Sequence, residues 1–164
     1  MLPLNITLIH HFLEESAGKY PDKTALIHEE TRATYGQINA MANRIARALI
    51  DTGVGANTRV AVILHNSIEY VAAYYGVLKT GATFVSLSTD VKPDTLNPLL
   101  KEIEPVVVIS SARFEGLLSD TLPSSNSVHA LFISQPKMKW TVTPFPVVKL
   151  EDIAGDGDAS NLHL

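Results

Sequence analysis

Residues 59–87 read RVAVILHNSIEYVAAYYGVLKTGATFVSL and hold two apolar runs on either side of a segment with helical spacing. The first run, 60–64, is apolar without alternation, which is typical of a strand covered on both faces. Asn66 follows it as an N-cap residue, and Glu69 three positions later completes a predicted capping box. A second strand is predicted at 82–87. This strand, helix and strand predict a βαβ unit with parallel strands.

A well-specified helix precedes this unit. Thr34 and Gln37 match a capping box, in which the threonine hydroxyl accepts from the glutamine amide and the glutamine side chain reaches back. Gly53 is predicted to end the helix, because glycine adopts positive φ without a Cβ clash. One apolar stripe at helical spacing is predicted to face the core: Ile38, Met41, Ala42, Ile45 and Leu49.

Strands and helices alternate along the rest of the chain. Apolar spacing predicts further helices at 7–19, 93–103 and 112–118. Short strands are predicted at 24–28, 32–33, 106–109 and 130–133. The alternation predicts an α/β fold with a mostly parallel sheet and helices on both faces. Prolines interrupt the pattern after residue 133, so a domain over 1–150 is expected, followed by an acidic linker over 151–164.

Composition excludes several classes of function. The 164 residues are 46% hydrophobic, which fits one ordinary folded domain and not a disordered chain. Lys and Arg total 13 against 17 Asp and Glu, a net charge of −4, so neither nucleic acid nor an anionic membrane is an expected partner. There is no cysteine, no apolar run of membrane-spanning length and no signal-peptide pattern, so a cytoplasmic location is expected.

The side chains do not form a complete active site. A phosphate-binding glycine loop and a Gly-x-Ser-x-Gly elbow are both missing from the sequence, so no catalytic residue is predicted. His10 and His11 are adjacent on a helix and do not face one another, so they are expected at the surface and no metal site is predicted. His65, Asn66 and Ser88 follow predicted strands, at the sheet edge where α/β proteins bind ligands. Packing against neighbours for the histidine and turn capping for the serine remain alternatives.

Several segments resemble the adenylate-forming superfamily, which includes acyl-CoA synthetases, peptide-synthetase adenylation domains and luciferases. TYGQIN at 34–39 and ANRIARAL at 42–49 resemble its first core motif and the helix behind it. GVLKTGATFVSL at 76–87 resembles the second core motif, and EPVVVI at 104–109 fits the strand after it. The order and spacing of these segments carry the resemblance, which covers about residues 7–118. It is strongest to acyl-CoA synthetases of the long-chain fatty acid type and implies the N-terminal subdomain of such an enzyme.

The resemblance implies a reaction for the parent enzyme. Such enzymes use ATP and Mg²⁺ to convert a carboxylic acid to an acyl-adenylate, release pyrophosphate, and pass the acyl group to a thiol, commonly that of CoA. The phosphate loop, the adenine-binding motif, the ribose-binding aspartate and the catalytic lysine of the family all lie beyond the matched span. Residues 1–164 are therefore expected to bind no cofactor and to be inactive alone. Fatty, aromatic and short acids all remain open as substrates.

One departure concerns the thiol acceptor. Many relatives place a basic residue where this chain has Asp90, and in some CoA ligases that residue approaches the CoA phosphates. Lys92 is a candidate replacement. Acyl-CoA synthetase is the expected function; the alternatives are an adenylation domain that loads a carrier protein and a non-catalytic α/β scaffold or binding module. The expected partners are the remainder of the same enzyme, its acid and CoA, and a second copy through apolar surface that truncation exposes.

Overall fold

The computed structural model describes residues 8–141, 143–155 and 158–162. The strands are β1 Thr24–His28, β2 Thr31–Thr34, β3 Arg59–Ile63, β4 Thr83–Ser86, β5 Val107–Ser111, β6 Ala130–Ser134 and β7 Val147–Lys149. The α-helices are α1 Ile9–Lys19, α2 Tyr35–Asp51, α3 Ile68–Leu78, α4 Pro93–Ile103, α5 Glu115–Thr121 and α6 Leu150–Gly155. Short 3₁₀ helices occupy Ala112–Phe114 and Leu122–Ser124. The predicted start of the first helix at Thr7 lies outside the described residues.

Five strands form a parallel sheet in the order β4-β3-β5-β6-β7. The register pairs Val62 of β3 with Ser86 of β4 on one side and with Ile109 of β5 on the other. Strands β1 and β2 form a separate antiparallel hairpin. The predicted α/β fold with a mostly parallel sheet is confirmed.

Helices cover both faces of the sheet. Because side chains alternate along a strand, Val60 and Val62 face one way and Ala61 and Ile63 the other. The first pair packs in a core with residues of α2, α3 and α6, and the second pair packs with residues of α4 and α5. The four side chains are fully buried. The uninterrupted apolar run thus predicted a strand covered on both faces correctly.

Helices α2 and α3 pack at short range because Gly76 has no side chain. A Cβ built on Gly76 would lie 2.8 Å from Ile45 Cγ2 and 3.1 Å from the Ala42 carbonyl oxygen. Both α2 residues are fully buried. The glycine therefore sets how closely the two helices approach.

Helix α1 packs on the β1–β2 hairpin and α2 through a third, smaller core that includes Leu13 and Ile38. A buried ion pair between Lys79 at the end of α3 and Glu14 adds to this contact. His10 lies beside the pair and is 5% exposed. The prediction of a surface position for His10 is wrong, because the ion pair holds α1 against α3 on that side. His11 is half-buried, and its ring centroid lies 4.5 Å from that of His10, so the expectation that the two histidines do not face one another is wrong as well.

The N-cap predicted for α2 is present in the structure, whereas the N-cap of α3 differs from the predicted residue. At α2, Gln37 N–H donates to Thr34 Oγ1 at 3.2 Å and Thr34 N–H donates to Gln37 Oε1 at 2.9 Å, so the predicted capping box is confirmed. At α3 the N-cap is Ser67, whose extended backbone lets its Oγ accept from Tyr70 N–H at 3.1 Å. The predicted capping role of Asn66 is wrong, and its pairing with Glu69 does not form.

Two elements after residue 133 were not predicted. Strand β7 extends the sheet by pairing with β6, and α6 follows it directly and packs on α2. Residues 158–162 also lie against α2, so the described part of the expected linker over 151–164 includes a helix and a docked segment. Residues 156, 157, 163 and 164 of that linker lie outside the described residues. Among the helices described, none combines the length and the apolar character needed to cross a membrane.

Candidate functional site

At β3 the chain switches from adding strands on one side of the sheet to adding them on the other side. After β3 the chain adds β4 on one side, and it then crosses to add β5 on the other side of β3. The connections that leave β3 and β5 therefore run apart at the carboxyl ends of these strands. In open parallel sheets such a switch point forms the crevice in which ligands bind.

A cleft of about 770 Å³ lies at this switch point. The segments after β3, β5 and β6 form most of its wall, and the β1–β2 turn closes one side. Polar and charged residues dominate the lining, which includes His28, Glu29, His65, Asn66, Ser67, Glu69, Ser111, Arg113, Ser134, Gln135 and Lys137. We call this site the switch-point cleft.

The structure brings two of the four predicted binding residues into this cleft. His65 and Asn66 both line it and both are exposed. The His65 ring also packs on Phe114, with 5.4 Å between the ring centroids, so the packing that the sequence left as an alternative is present. A ligand-binding role for either residue stays a prediction.

The other two residues lie beyond the edge strand β4, outside the lining of the cleft. Ser88 Oγ accepts from the Asp90 N–H at 3.2 Å, which is the turn-capping arrangement. Lys92 is the N-cap of α4, and its carbonyl oxygen accepts from Leu96 N–H at 2.8 Å. Ser88, Asp90 and Lys92 are all exposed. The four residues therefore do not form one cluster.

Two cations of the cleft were missed from the sequence. Arg113 follows β5 within a 3₁₀ helix, and Lys137 lies in the loop after β6; both side chains are exposed and line the cleft. Both follow strands that the sequence predicts, at the same sheet edge as His65. The principle that ligands bind at the carboxyl ends of parallel strands would therefore have found them. Each can pair with an anionic group such as a phosphate, and Glu29 and Glu69 place negative charge in the same lining.

The loop that carries Lys137 is held by two carboxylates. Glu115 is 4% exposed and accepts from the backbone N–H groups of Lys137 and Met138, each at 3.1 Å, and from Trp140 Nε1–H at 3.2 Å. Glu151 of α6 accepts from Ser134 Oγ–H at 2.7 Å. It also accepts from the N–H of Gln135, which has a left-handed backbone with φ 50°. These contacts fix the backbone that presents Lys137 to the cleft.

Comparison with known proteins gives matches over most of the chain. The family model described as "AMP-binding enzyme" matches residues 13–157. Tyrocidine synthase 1 of Brevibacillus parabrevis is 33% identical over 112 residues, which are 68% of this chain and 10% of that protein. A dimodular nonribosomal peptide synthase of Bacillus subtilis (strain 168) is 28% identical over 133 residues, 81% of this chain and 5% of that protein.

The fold also matches solved structures. The crystal structure of the anthranilate CoA ligase AuaEII in complex with anthranoyl-AMP superposes with a TM-score of 0.83 at 22% identity. The superposition covers 99% of this chain and 31% of that ligase. At this identity the likeness shows the fold alone. The chain thus spans about a third of the solved ligase and a tenth or less of the two peptide synthases.

Proposed function

The chain belongs to the AMP-binding enzyme family, and from this membership we propose that it is the N-terminal part of an enzyme that activates a carboxylic acid as an acyl-adenylate and transfers the acyl group to a thiol. The match of the family model to residues 13–157 carries the proposal. The family uses ATP and Mg²⁺ for the first step. This sequence contains no phosphate-binding glycine loop, so we assign no catalytic residue of the adenylation to it.

For the second step, we propose that the switch-point cleft takes the phosphate-bearing arm of the thiol acceptor. CoA and the carrier proteins of peptide synthetases share a phosphopantetheine arm, so the same cations serve either acceptor. Arg113 and Lys137 supply the positive charge, against the two carboxylates Glu29 and Glu69 of the same lining, and Asn66 and Ser67 supply hydrogen-bonding groups. The backbone of Lys137 is already fixed by Glu115, so binding has to order only its side chain.

CoA is the acceptor that the sequence predicts, and a carrier protein is a second candidate. The second candidate is supported by two sequence relatives that are peptide synthases, tyrocidine synthase 1 at 33% identity and a nonribosomal peptide synthase at 28%. Asp90 also favours a carrier protein. Many relatives have a basic residue at this position, whereas the exposed carboxylate of Asp90 would repel the nucleotide phosphates of CoA. A carrier protein presents no such nucleotide.

The test uses the longer protein that contains this chain. We expect pyrophosphate exchange into ATP in the presence of one of a panel of fatty, aromatic, short and amino acids. Mass spectrometry then distinguishes an acyl thioester of CoA from one on a phosphopantetheinylated carrier protein. Residues 1–164 alone are expected to give no exchange. Exchange by this span alone would contradict the proposal, and no exchange by the longer protein with any acid would favour a non-catalytic scaffold.

The cleft is tested separately with Arg113→Met and Lys137→Met. Each is expected to raise the KM for the thiol acceptor about tenfold, the worth of one charge-assisted contact, with pyrophosphate exchange unchanged. Arg32→Met removes an exposed cation of β2 that does not line this cleft and serves as the matched control. An unchanged KM in both cleft variants would exclude the cleft as the acceptor site.

A further inference from the structure

Residues 158–162 are held on α2 by hydrogen bonds from two asparagines. Asn43 Nδ2 donates to the Ala159 carbonyl oxygen at 2.7 Å and to Asn161 Oδ1 at 3.0 Å. Asn39 Nδ2 donates to the same Asn161 oxygen at 2.9 Å. These contacts join residues more than 110 positions apart. They fix both the backbone and a side chain of the segment.

Arg47, one helical turn beyond Asn43, holds the same segment through three further contacts. Its Nη1 donates to the Ser160 carbonyl oxygen at 2.8 Å and its Nη2 to Ser160 Oγ at 2.9 Å. Nη2 also lies 2.9 Å from Asp158 Oδ2. Hydrogen bonds from Ser160, its backbone N–H above all, and the Arg47 charge lower the pKa of Asp158. We call Asn39, Asn43 and Arg47 with residues 158–161 the α2 clasp.

Asn43 is energetically unfavourable at its position in the fold. It is fully buried on a helix whose other buried residues are apolar, among them Ala42, Ile45 and Ala46. Its Oδ1 is buried and, among the described residues, has no hydrogen-bond partner. A buried amide with an unpaired oxygen costs stability relative to an apolar side chain. Asn43 is therefore better explained by what its Nδ2 group holds than by core packing.

We propose that Asn43 and Arg47 are positioning residues for adenylation, because they hold residues 158–161 in one place on α2. The proposal rests on the proposed function, in which the ATP-binding region lies beyond this span. Residues 158–162 have no regular secondary structure, and their described contacts with α2 are made through side chains of α2. Each further residue reaches at most about 3.5 Å, so anchoring Asn161 restricts where the next segment lies. A freed segment would let the ATP-binding region move relative to this subdomain.

The experiment compares variants of the intact enzyme. Asn43→Ala and Arg47→Met are expected to speed hydrogen exchange in the peptide that covers 158–162 and to lower kcat for pyrophosphate exchange about tenfold or more. Arg47→Lys keeps the positive charge but loses the paired guanidinium donors, so its kcat should lie between those of Arg47→Met and the wild type. Asp158→Ala loosens the clasp from its exposed side and cannot disturb the core, which covers the case that Asn43→Ala does not fold.

Ile45→Val is the matched control, since it removes one buried methyl group from the same helix without touching the clasp. It should leave kcat and the exchange of 158–162 unchanged. A kcat as high as that of the wild type in a variant with a freed segment would overturn the proposal, as would an equal loss of kcat in Ile45→Val. Wild-type enzyme without any pyrophosphate exchange would instead refute the proposed function, and the positioning role with it.

Discussion

At the scale of single residues, Gly76 has the clearest steric role. Its missing side chain admits Ile45 Cγ2, which would lie 2.8 Å from an added Cβ. Gly76→Ala is therefore expected to force α2 and α3 apart and lower the free energy of unfolding by about 1–3 kcal/mol. Urea unfolding followed by circular dichroism measures the change.

Gly116 provides the matched control for that substitution. It also lies in a helix, α5, but a Cβ added there meets nothing within 4 Å. Gly116→Ala should leave the free energy of unfolding unchanged or raise it by up to about 1 kcal/mol, since alanine costs less backbone entropy. Equal destabilisation by the two substitutions would mean that lost glycine flexibility, and not the clash, explains Gly76.

His10 gives the chain a pH-dependent stability. Burial lowers the pKa of His10 below its ordinary value of 6.5, although Glu14 acts in the opposite direction. The unfolded chain therefore binds a proton at a higher pH than the folded chain does. Stability from His10 is complete above pH 6.5 and is lost as the pH falls from there towards the folded pKa.

Urea unfolding between pH 5 and pH 8 tests this titration. The wild type should lose stability on acidification more steeply than His10→Gln, which keeps a polar group but has no proton to bind in this range. Identical slopes for wild type and His10→Gln would show that His10 does not carry the effect.

Single residues also show which structural roles can be predicted from local sequence. Thr34 and Gln37 were predicted correctly, because a capping box depends on residues three positions apart. Asn66 and Ser67 are both good N-caps, and only the backbone geometry selects Ser67. The burial of His10 depends on the tertiary fold, which brings Lys79 and Glu14 together as an ion pair beside it. Residue spacing along α1 does not reveal this contact.

At the scale of elements, the ion pair of Lys79 and Glu14 joins α1 to α3. The Lys79 side chain is 1% exposed, so its charge depends on this partner. Glu14→Gln alone is expected to lower the free energy of unfolding by about 3 kcal/mol, because it leaves a buried charge unpaired. Pairing it with Lys79→Met removes the stranded charge and should recover most of the loss. A double variant as unstable as the sum of both single variants would show that the two side chains do not act as a pair.

Among elements, the apolar runs predicted the strands from β3 to β6 well. β7 escaped prediction because Val147–Lys149 is three residues long and follows two prolines; pairing with β6 is what makes it a strand. Half of the binding residues predicted from sheet ends lie in the switch-point cleft. Ser88 and Lys92 do not, because β4 is an edge strand, and the sequence does not reveal the order of the strands.

For the whole molecule, residues 1–164 alone are expected to self-associate. The first helix and the residue before it expose apolar side chains: Leu8 at 43%, Ile9 at 54% and Phe12 at 59%. Such a patch favours association between copies in water. Light scattering over a range of concentrations should show mass growth that Ile9→Ser with Phe12→Ser reduces. A monodisperse wild-type monomer at high concentration would contradict this expectation.

The place of β3 at the centre of the sheet has a consequence for biosynthesis. Ile63 of β3 pairs with Ser110 of β5, 47 positions later, and β4 is made in between. A ribosome therefore releases β3 well before its second neighbour exists, and contacts this distant in sequence form slowly. Until β5 emerges, one edge of β3 is open to any other extended chain, so chaperone capture is most needed while residues 64–111 are being translated.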